Sequence, residues 1–248
     1  MTSRSTGTGP VRTPLYRSVK QQITEALREG RWKHGQKIAS EPQLARRFKA
    51  SVGTIRKAVG ELVAENILVR EQGRGTFVRT HGRDYMLSVF FRIVGHDGAH
   101  ELPEVTLLSM KRARADRATA QLLRLKPRAP VFDIETLLAL DGQPAILDRM
   151  RVPVQMFPDL THSGFARREG TVYGFFQDRY GITIVRAQEF ITAVAADART
   201  AQLLHLPPGA PLLRIARTSY TYKDVPVDTR VRWVSCARHG YLSQLGKT

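Results

Sequence analysis

Apolar residues at Leu15, Val19, Ile23 and Leu27 recur every four positions, which places one stripe along a helix over Pro14–Glu29. Gly30 and Gly35 then predict the end of that helix and the turn beyond it. Ser40-Glu41-Pro42-Gln43 has the form of a capping box: Ser40 starts a second, short helix and Gln43 reaches back to it, with Leu44 and Phe48 turned inward. After a break at Lys49-Ala50, Ser51 is a further N-cap. The longer helix behind it runs to about Glu65, with Val52, Ile55, Val59, Leu62 and Val63 expected inside and Asn66 suited to the left-handed residue that closes it. Two short β-type runs, Ile67–Arg70 and Thr76–Arg79, flank Glu71-Gln72-Gly73-Arg74-Gly75 and predict a hairpin. Two helices joined by so short a turn, followed by a glycine-rich hairpin, predict a winged helix-turn-helix.

Past the polar stretch 79–85, which contains Gly82, the pattern becomes that of strands. Met86–Val94, Val105–Met110, Val131–Leu140, Ile146–Val152, Ile182–Ala195, Leu212–Tyr222 and Val225–Val234 are rich in β-formers. Helical stretches over Arg117–Leu123, Val172–Arg179 and Arg199–Leu204 lie between them. The expected organisation is a DNA-binding domain over 12–80, a linker over 81–85 and a second domain over 86–248. Within the second domain Ala115-Asp116…Thr119-Ala120-Gln121-Leu122-Leu123…Pro130 recurs as Ala196-Asp197…Thr200-Ala201-Gln202-Leu203-Leu204…Pro211. Each copy leads into a strand, a turn (Asp141-Gly142 or Lys223-Asp224), then a proline and another strand. Two equivalent helix–hairpin halves completing one antiparallel sheet are expected, with a ligand cleft between them.

Charge sharpens the first domain's role. The 248 residues carry a net +17, and residues 1–83 hold 17 Lys/Arg against 6 Asp/Glu while the remainder holds 22 against 16. Concentrated positive charge fits a polyanionic partner, bound through phosphate neutralisation and counterion release. On the third helix Gly53, Thr54, Arg56 and Lys57 avoid the apolar stripe, in the turns where side chains meet bases and phosphates. In the hairpin, Gly73 and Gly75 permit close approach to a backbone or groove and Arg74 supplies charge.

Pro14-Leu15-Tyr16, Gly35, Ser40-Glu41, Leu44-Ala45, Thr54-Ile55-Arg56-Lys57-Ala58 and Gln72-Gly73-Arg74-Gly75-Thr76-Phe77-Val78 together resemble the DNA-binding domain of the GntR family. The resemblance implies that Ser51, Thr54 and Arg56 contact operator backbone or bases and that Gln72 and Gly73 enter the minor groove. The candidate DNA-contacting set is therefore Ser40, Ser51, Gly53, Thr54, Arg56, Lys57, Gln72, Gly73, Arg74, Gly75 and Thr76. Two positions depart from the family pattern. Val52 stands where Arg is usual after the helix-opening Ser, and Pro42 where a long polar residue is common after Ser-Glu. Loss of that Arg removes a guanine contact and implies an altered operator.

Asp141-Gly142-Gln143-Pro144, Val152-Pro153 with Phe157-Pro158-Asp159-Leu160, Thr171-Val172-Tyr173, Tyr180-Gly181-Ile182 and Pro211-Leu212-Leu213 are similar to the UTRA domain of the HutC subfamily. That resemblance implies an α+β protein: a winged helix-turn-helix followed by a chorismate-lyase-like antiparallel α/β domain that senses small metabolites. It also implies an effector held near Asp148, Thr171, Tyr173, Asp228 and Arg230. Strand alternation puts Asp228, Arg230 and Arg232 on one face, where such a row is ordinarily solvated. Members that bind phosphorylated sugars carry Arg-x-Arg on the first hairpin strand; here Thr136 and Leu138 occupy those positions, which favours another effector, such as a less charged metabolite or a small acid.

The remaining expectations are exclusions. The polar stretch Met1–Pro10 lacks the apolar core of a secretory signal, and no apolar run reaches bilayer length, so a cytoplasmic protein with no membrane partner is expected. A lone Cys236 allows no intrachain disulfide. Gly95-His96-Asp97-Gly98-Ala99-His100-Glu101 reads as a loop rather than a metal site, and no cofactor motif is present. The expected function is a homodimeric transcription regulator, repressing by family tendency, that binds operator DNA and a small effector. A chorismate-lyase-like enzyme and an effector-independent DNA-binding protein are the alternatives.

Overall fold

The four-residue stripe does form a helix, α1 (Leu15–Arg28), which buries Val19, Ile23 and Leu27 while Leu15 stays exposed at its start. The computed structural model describes residues 14–82 and 85–244, apart from the side chain of Ser88. The N-terminal stretch Met1–Pro10, the expected domain start at 12 and part of the expected linker lie outside the described residues. The chain divides into two compact units, Met1–Arg79 and Thr80–Thr248. His81, in the stretch expected as linker, is buried within the second unit, where its backbone N–H donates to Gln177 Oε1 at 3.0 Å.

In the first unit, α2 (Glu41–Phe48) ends on Lys49 in the left-handed conformation. Helix α3 (Val52–Ala64) buries Ile55, Ala58, Val59 and Leu62, and Asn66 beyond it has φ 58°. Val52, expected inside, is instead 38% exposed. It is the first helical residue, ahead of the packed stripe that Ile55 opens. Strands β1 (Leu68–Glu71) and β2 (Gly75–Val78) pair as the wing, from Leu68 opposite Val78 to Glu71 opposite Gly75. The segment before α2 extends this ribbon, since Ile38 N–H donates to Thr76 O and Val78 N–H donates to Gln36 O, both at 2.9 Å. The turn needs glycine twice: Gly73 has φ 71° and Gly75 has φ 121°, backbone that L side chains rarely adopt.

The second unit is built on a six-stranded antiparallel sheet in the order β4-β5-β6-β9-β8-β7. Strands β4 (Glu104–Arg114), β5 (Pro130–Leu140) and β6 (Gln143–Pro153), with helix α4 (Arg117–Leu122), form the first half. The second half repeats this with β7 (Arg186–Ala195), helix α7 (Ala198–Leu203), β8 (Pro211–Thr221) and β9 (Val225–Ser235). Both helices are capped alike: Asp116 accepts from Thr119 N–H and Asp197 from Thr200 N–H, each at 2.7 Å. Both hairpins turn through two residues of positive φ, Asp141-Gly142 and Lys223-Asp224. The duplicated sequence thus folds as two halves that meet along the β6·β9 seam.

Between the halves run α5 (His162–Ala166) and α6 (Val172–Tyr180). Phe165, Tyr173 and Phe176 from them pack with Phe132, Ile134, Met150, Val152 and Val227 of the sheet in the principal core. Two expected strands are corrected. Met86–Val94 is a π-helical turn over Met86–Phe90, and only β3 (Ile93–Gly95) is strand, paired with β10 (His239–Tyr241). A turn buries Met86 and Phe90 together, and a short apolar run specifies helix and strand equally well. The Ile182–Ala195 strand starts only at Arg186, because Ile184 departs from the sheet edge to plug the core.

Gly75→Ala is expected to destabilise the first unit by about 1–3 kcal/mol, the usual range for a strained backbone position. A urea-denaturation midpoint equal to that of the wild type would contradict this.

Candidate functional site

In the first unit the exposed surface of the helix-turn-helix is organised by caps and one carboxylate. Ser51 Oγ accepts from Thr54 N–H at 3.1 Å and lies 2.9 Å from Thr54 Oγ1, which fixes the first turn of α3. Ser51, Gly53, Arg56 and Lys57 are exposed and Thr54 is half-buried. Glu41 accepts from Arg56 Nε at 3.0 Å and from Arg70 Nη2 at 3.1 Å, so it ties α2 to α3 and to the wing. Lys57 Nζ sits 4.1 Å from the centre of the Tyr16 ring, a cation–π contact that links α3 to α1.

Ser40 keeps the predicted cap relation: its N–H and its hydroxyl donate to Gln43 Oε1 at 2.8 and 2.9 Å. In the wing Gln72, Gly73, Arg74 and Gly75 are exposed and Thr76 is half-buried. Arg74 pairs with Glu71 and lies 5.5 Å from the centre of the Phe77 ring. Ser40, Gly73, Arg74, Gly75 and Thr76 line a common cleft of about 380 Å³.

In the second unit the sheet register gathers charge. Thr136, Asp148 and Arg232 stand opposite one another across β5, β6 and β9. The next row on the same face runs Ile134, Met150, Arg230, Arg217 and Glu189 across β5, β6, β9, β8 and β7. Asp228 precedes Arg230 by two positions and faces Ser219. This row is not solvated as expected: Arg217 and Arg230 are each 4% exposed, Arg232 6% and Asp228 0%.

The network is dense but incompletely satisfied. Arg230 Nη1 donates to Asp148 Oδ2 at 3.1 Å, while Arg230 Nε lies 3.5 Å from Asp228 Oδ1 and Arg232 Nε lies 3.5 Å from Asp148 Oδ2. Arg217 Nε donates to Glu189 Oε1 at 2.7 Å, and Arg217 also donates to the Phe90 carbonyl in the π-helical turn. Tyr173 Oη is 2.6 Å from Ser219 Oγ, and the Arg230 guanidinium stands over its ring. Both Asp228 oxygens, Asp148 Oδ1, Arg217 Nη1, Arg230 Nε and Arg232 Nε are buried without a hydrogen-bond partner among the described residues. Such groups ordinarily find partners, because each orphan costs about 1–3 kcal/mol.

Proton affinities record the crowding. Burial pulls the Arg232 guanidinium down to about 10, with Asp148 opposing and Arg230 and Arg217 repelling it. Burial also lowers half-buried Arg168 to about 10, helped by the charge of Arg230. Arg230 is raised: burial opposes its charge, but Asp148 and Asp228 outweigh that cost. Burial pushes the Glu189 carboxyl up, yet the charge of Arg217 and the hydrogen bond from Tyr241 hold it below the ordinary glutamate value.

Of the five expected effector residues the structure brings Asp148, Tyr173, Asp228 and Arg230 into this network. Thr171 has another use: its Oγ1 accepts from Gly174 N–H at 3.0 Å as the N-cap of α6 and donates to His81 O at 3.3 Å. Sequence reasoning missed Arg217, Ser219 and Glu189, and it placed Arg232 in a row that is ordinarily solvated. A charged residue at inward period-two spacing, as in Ile215-x-Arg217-x-Ser219, was the available signal. The Arg-x-Arg pair absent at Thr136 and Leu138 is present as Arg230-x-Arg232 on β9. In the loop after β3, Asp97 Oδ1 accepts from Ala99 N–H at 2.9 Å, and the described residues contain no group of three or more potential metal ligands.

A winged helix-turn-helix, carried in one chain with a sheet domain that buries an unsatisfied polar network, defines a DNA-binding transcription regulator with a C-terminal effector domain. Residues 15–78 match the family of bacterial regulatory proteins named for GntR, and residues 99–239 match the UTRA domain. This chain belongs to the GntR family, among the regulators that carry a UTRA domain. It is similar to the HTH-type transcriptional regulator Rv0792c of Mycobacterium tuberculosis, 32% identical over 92% of this chain and 82% of that one. It is also similar to the histidine utilization repressor of Pseudomonas putida, 29% identical over 87% and 85%. Among solved structures, a GntR-family ligand-binding domain from Bordetella bronchiseptica superposes with a TM-score of 0.61 at 31% identity, covering 62% of this chain and 96% of that one. No helix among the described residues is long and apolar enough to cross a membrane.

The depressed Glu189 pKa makes its contribution present above the unfolded glutamate value of roughly 4.3 and lost as pH falls through the lower folded value. The melting temperature of the wild type is therefore expected to fall more steeply than that of Glu189→Gln on acidification from pH 5 to below 4. Parallel curves would contradict the role given to this ion pair.

Proposed function

We propose that the chain acts as a cytoplasmic homodimeric repressor, whose affinity for a pseudo-palindromic operator is set by a small polar effector held at the β6·β9 seam. Two-fold proteins match two-fold sites, which supports the operator symmetry. Ser51, Gly53, Thr54, Arg56 and Lys57 read the major groove and its phosphates, and Gln72, Gly73, Arg74, Gly75 and Thr76 approach the adjacent backbone and minor groove. Ser40 positions the start of α2. Exposed Val52 offers an apolar surface suited to a thymine methyl group in place of the guanine fork of an arginine.

The observation that carries the effector reading is the buried network with orphaned atoms of both kinds. Its guanidiniums suit an anionic group such as a carboxylate, and Asp228 and Asp148 suit a hydroxyl or amine on the same molecule. Tyr173 forms part of the wall. Binding stabilises one arrangement of the domain and changes DNA affinity by linkage. Regulation without catalysis is supported by the relatives, which are themselves transcription regulators.

The test is retardation of DNA from the gene's own promoter region by the full-length protein. Arg56→Ala is expected to weaken binding by about 1–3 kcal/mol, roughly 5- to 150-fold. Equal affinity of variant and wild type contradicts the assignment of Arg56, and failure of the wild type to retard that DNA contradicts the reading as a whole.

A further inference from the structure

The duplication provides an internal control for surface charge. Ala115–Pro130 and Ala196–Pro211 share sequence, capping geometry and strand connections, yet their surfaces differ. Lys111, Arg112, Arg114, Arg117, Lys126 and Arg128 in the first copy correspond to Thr192, Ala193, Ala195, Ala198, Pro207 and Gly209 in the second. The second copy forms the same elements without these cations, so folding does not require them. All six are exposed, and none makes an ion pair with a described carboxylate. Asp116 is the one acid between positions 111 and 128, and Arg151 already holds it at 2.7 Å.

Two further observations set this patch apart from a solvated face. Arg114, Arg117 and Arg128 line a cleft of about 730 Å³ beside α4. Arg128 has φ 59° at the turn where the second copy places Gly209 at φ 82°. Glycine takes left-handed backbone freely, whereas a residue with a side chain takes it at a cost, so a cation stands here at a conformation for which the second copy uses glycine.

We infer that the surface around this cleft, where Arg114, Arg117 and Arg128 come together, is a second polyanion-binding surface, which engages the phosphate backbone of duplex DNA flanking the operator. Arginine forks are suited to phosphate oxygens, and a domain tethered to one that is bound to DNA meets phosphate at high local concentration. The contact is independent of base sequence and sensitive to salt. The inference rests on the DNA-binding reading above.

The test uses full-length protein and two duplexes: the promoter fragment trimmed to its footprint, and the same fragment carrying random flanks of about 20 base pairs per side, titrated across a range of salt. Flanks are expected to raise wild-type affinity and steepen the slope of log K against log salt by about two to three per flank, roughly five for a dimer that engages both, as three neutralised phosphates per flank require. Arg117→Ala/Lys126→Gln/Arg128→Gly should lose both flank effects while keeping its melting temperature and its affinity for the trimmed duplex. Arg117→Lys/Arg128→Lys, which keeps the charge, should retain them. A neutralised variant that gains as much from flanks as the wild type, or a wild type that gains nothing, overturns the proposal. Unchanged flank effects together with loss of an acidic protein partner would likewise overturn it in favour of that partner. Failure of the DNA-binding reading looks different, because the wild type would then fail to retard the trimmed duplex as well.

Discussion

Three arginines and three carboxylates lie on one face of the second unit's sheet, nearly all of them removed from water. Charges in such a place must be paired, because breaking a buried pair costs about 3–5 kcal/mol. The register supplies part of the pairing: Asp148 stands opposite Arg232, and Arg217 lies between Arg230 and Glu189. Among the described residues it leaves Asp228 wholly buried with a 3.5 Å ion pair and no hydrogen-bond partner, and several guanidinium nitrogens without acceptors. The rest of the domain follows from holding this face dry. The π-helical turn contributes a carbonyl and an aromatic ring, α6 contributes Tyr173, and the apolar core surrounds them.

The location of the network is a consequence of the duplication. Each half supplies one strand to the β6·β9 seam, and neither half alone assembles the cluster: Asp148 comes from the first copy and Arg217, Asp228, Arg230 and Arg232 from the second. A ligand that satisfies atoms on both strands also joins the halves, which converts local hydrogen bonding into stability of the whole sheet. The first unit is arranged differently. Its exposed side chains are held by caps, by the Glu41 carboxylate between Arg56 and Arg70, and by Lys57 against Tyr16. These contacts preorganise cations for a partner without burying them, as a surface that meets phosphate needs.

Much of this was legible in the sequence because the relevant signals are local. The Ser51 cap, the positive-φ residues Asn66 and Gly73 and the two matching hairpins follow from residue type and spacing. Asp148, Tyr173, Asp228 and Arg230 came from resemblance together with strand alternation, and the structure brings them together. What was not legible depends on tertiary burial. Met86–Phe90 lacks a period, so only the core it plugs decides that it turns. Arg232 alternates like a solvated residue, and its burial is set by Phe91 and the strands on either side. Val52 belongs to the apolar stripe by spacing, yet it stands before the helix has neighbours to bury it.

The central claim is that the seam network is completed by a small molecule bearing an anionic group and a hydrogen-bond donor. Calorimetric titration of hydroxy- and amino-acid metabolites into the wild type and into Arg232→Gln tests it most directly. The account predicts saturable binding of at least one such compound to the wild type, weakened at least tenfold in Arg232→Gln, with the variant still folded. Binding that is undiminished in the variant would place the effector elsewhere and contradict the account.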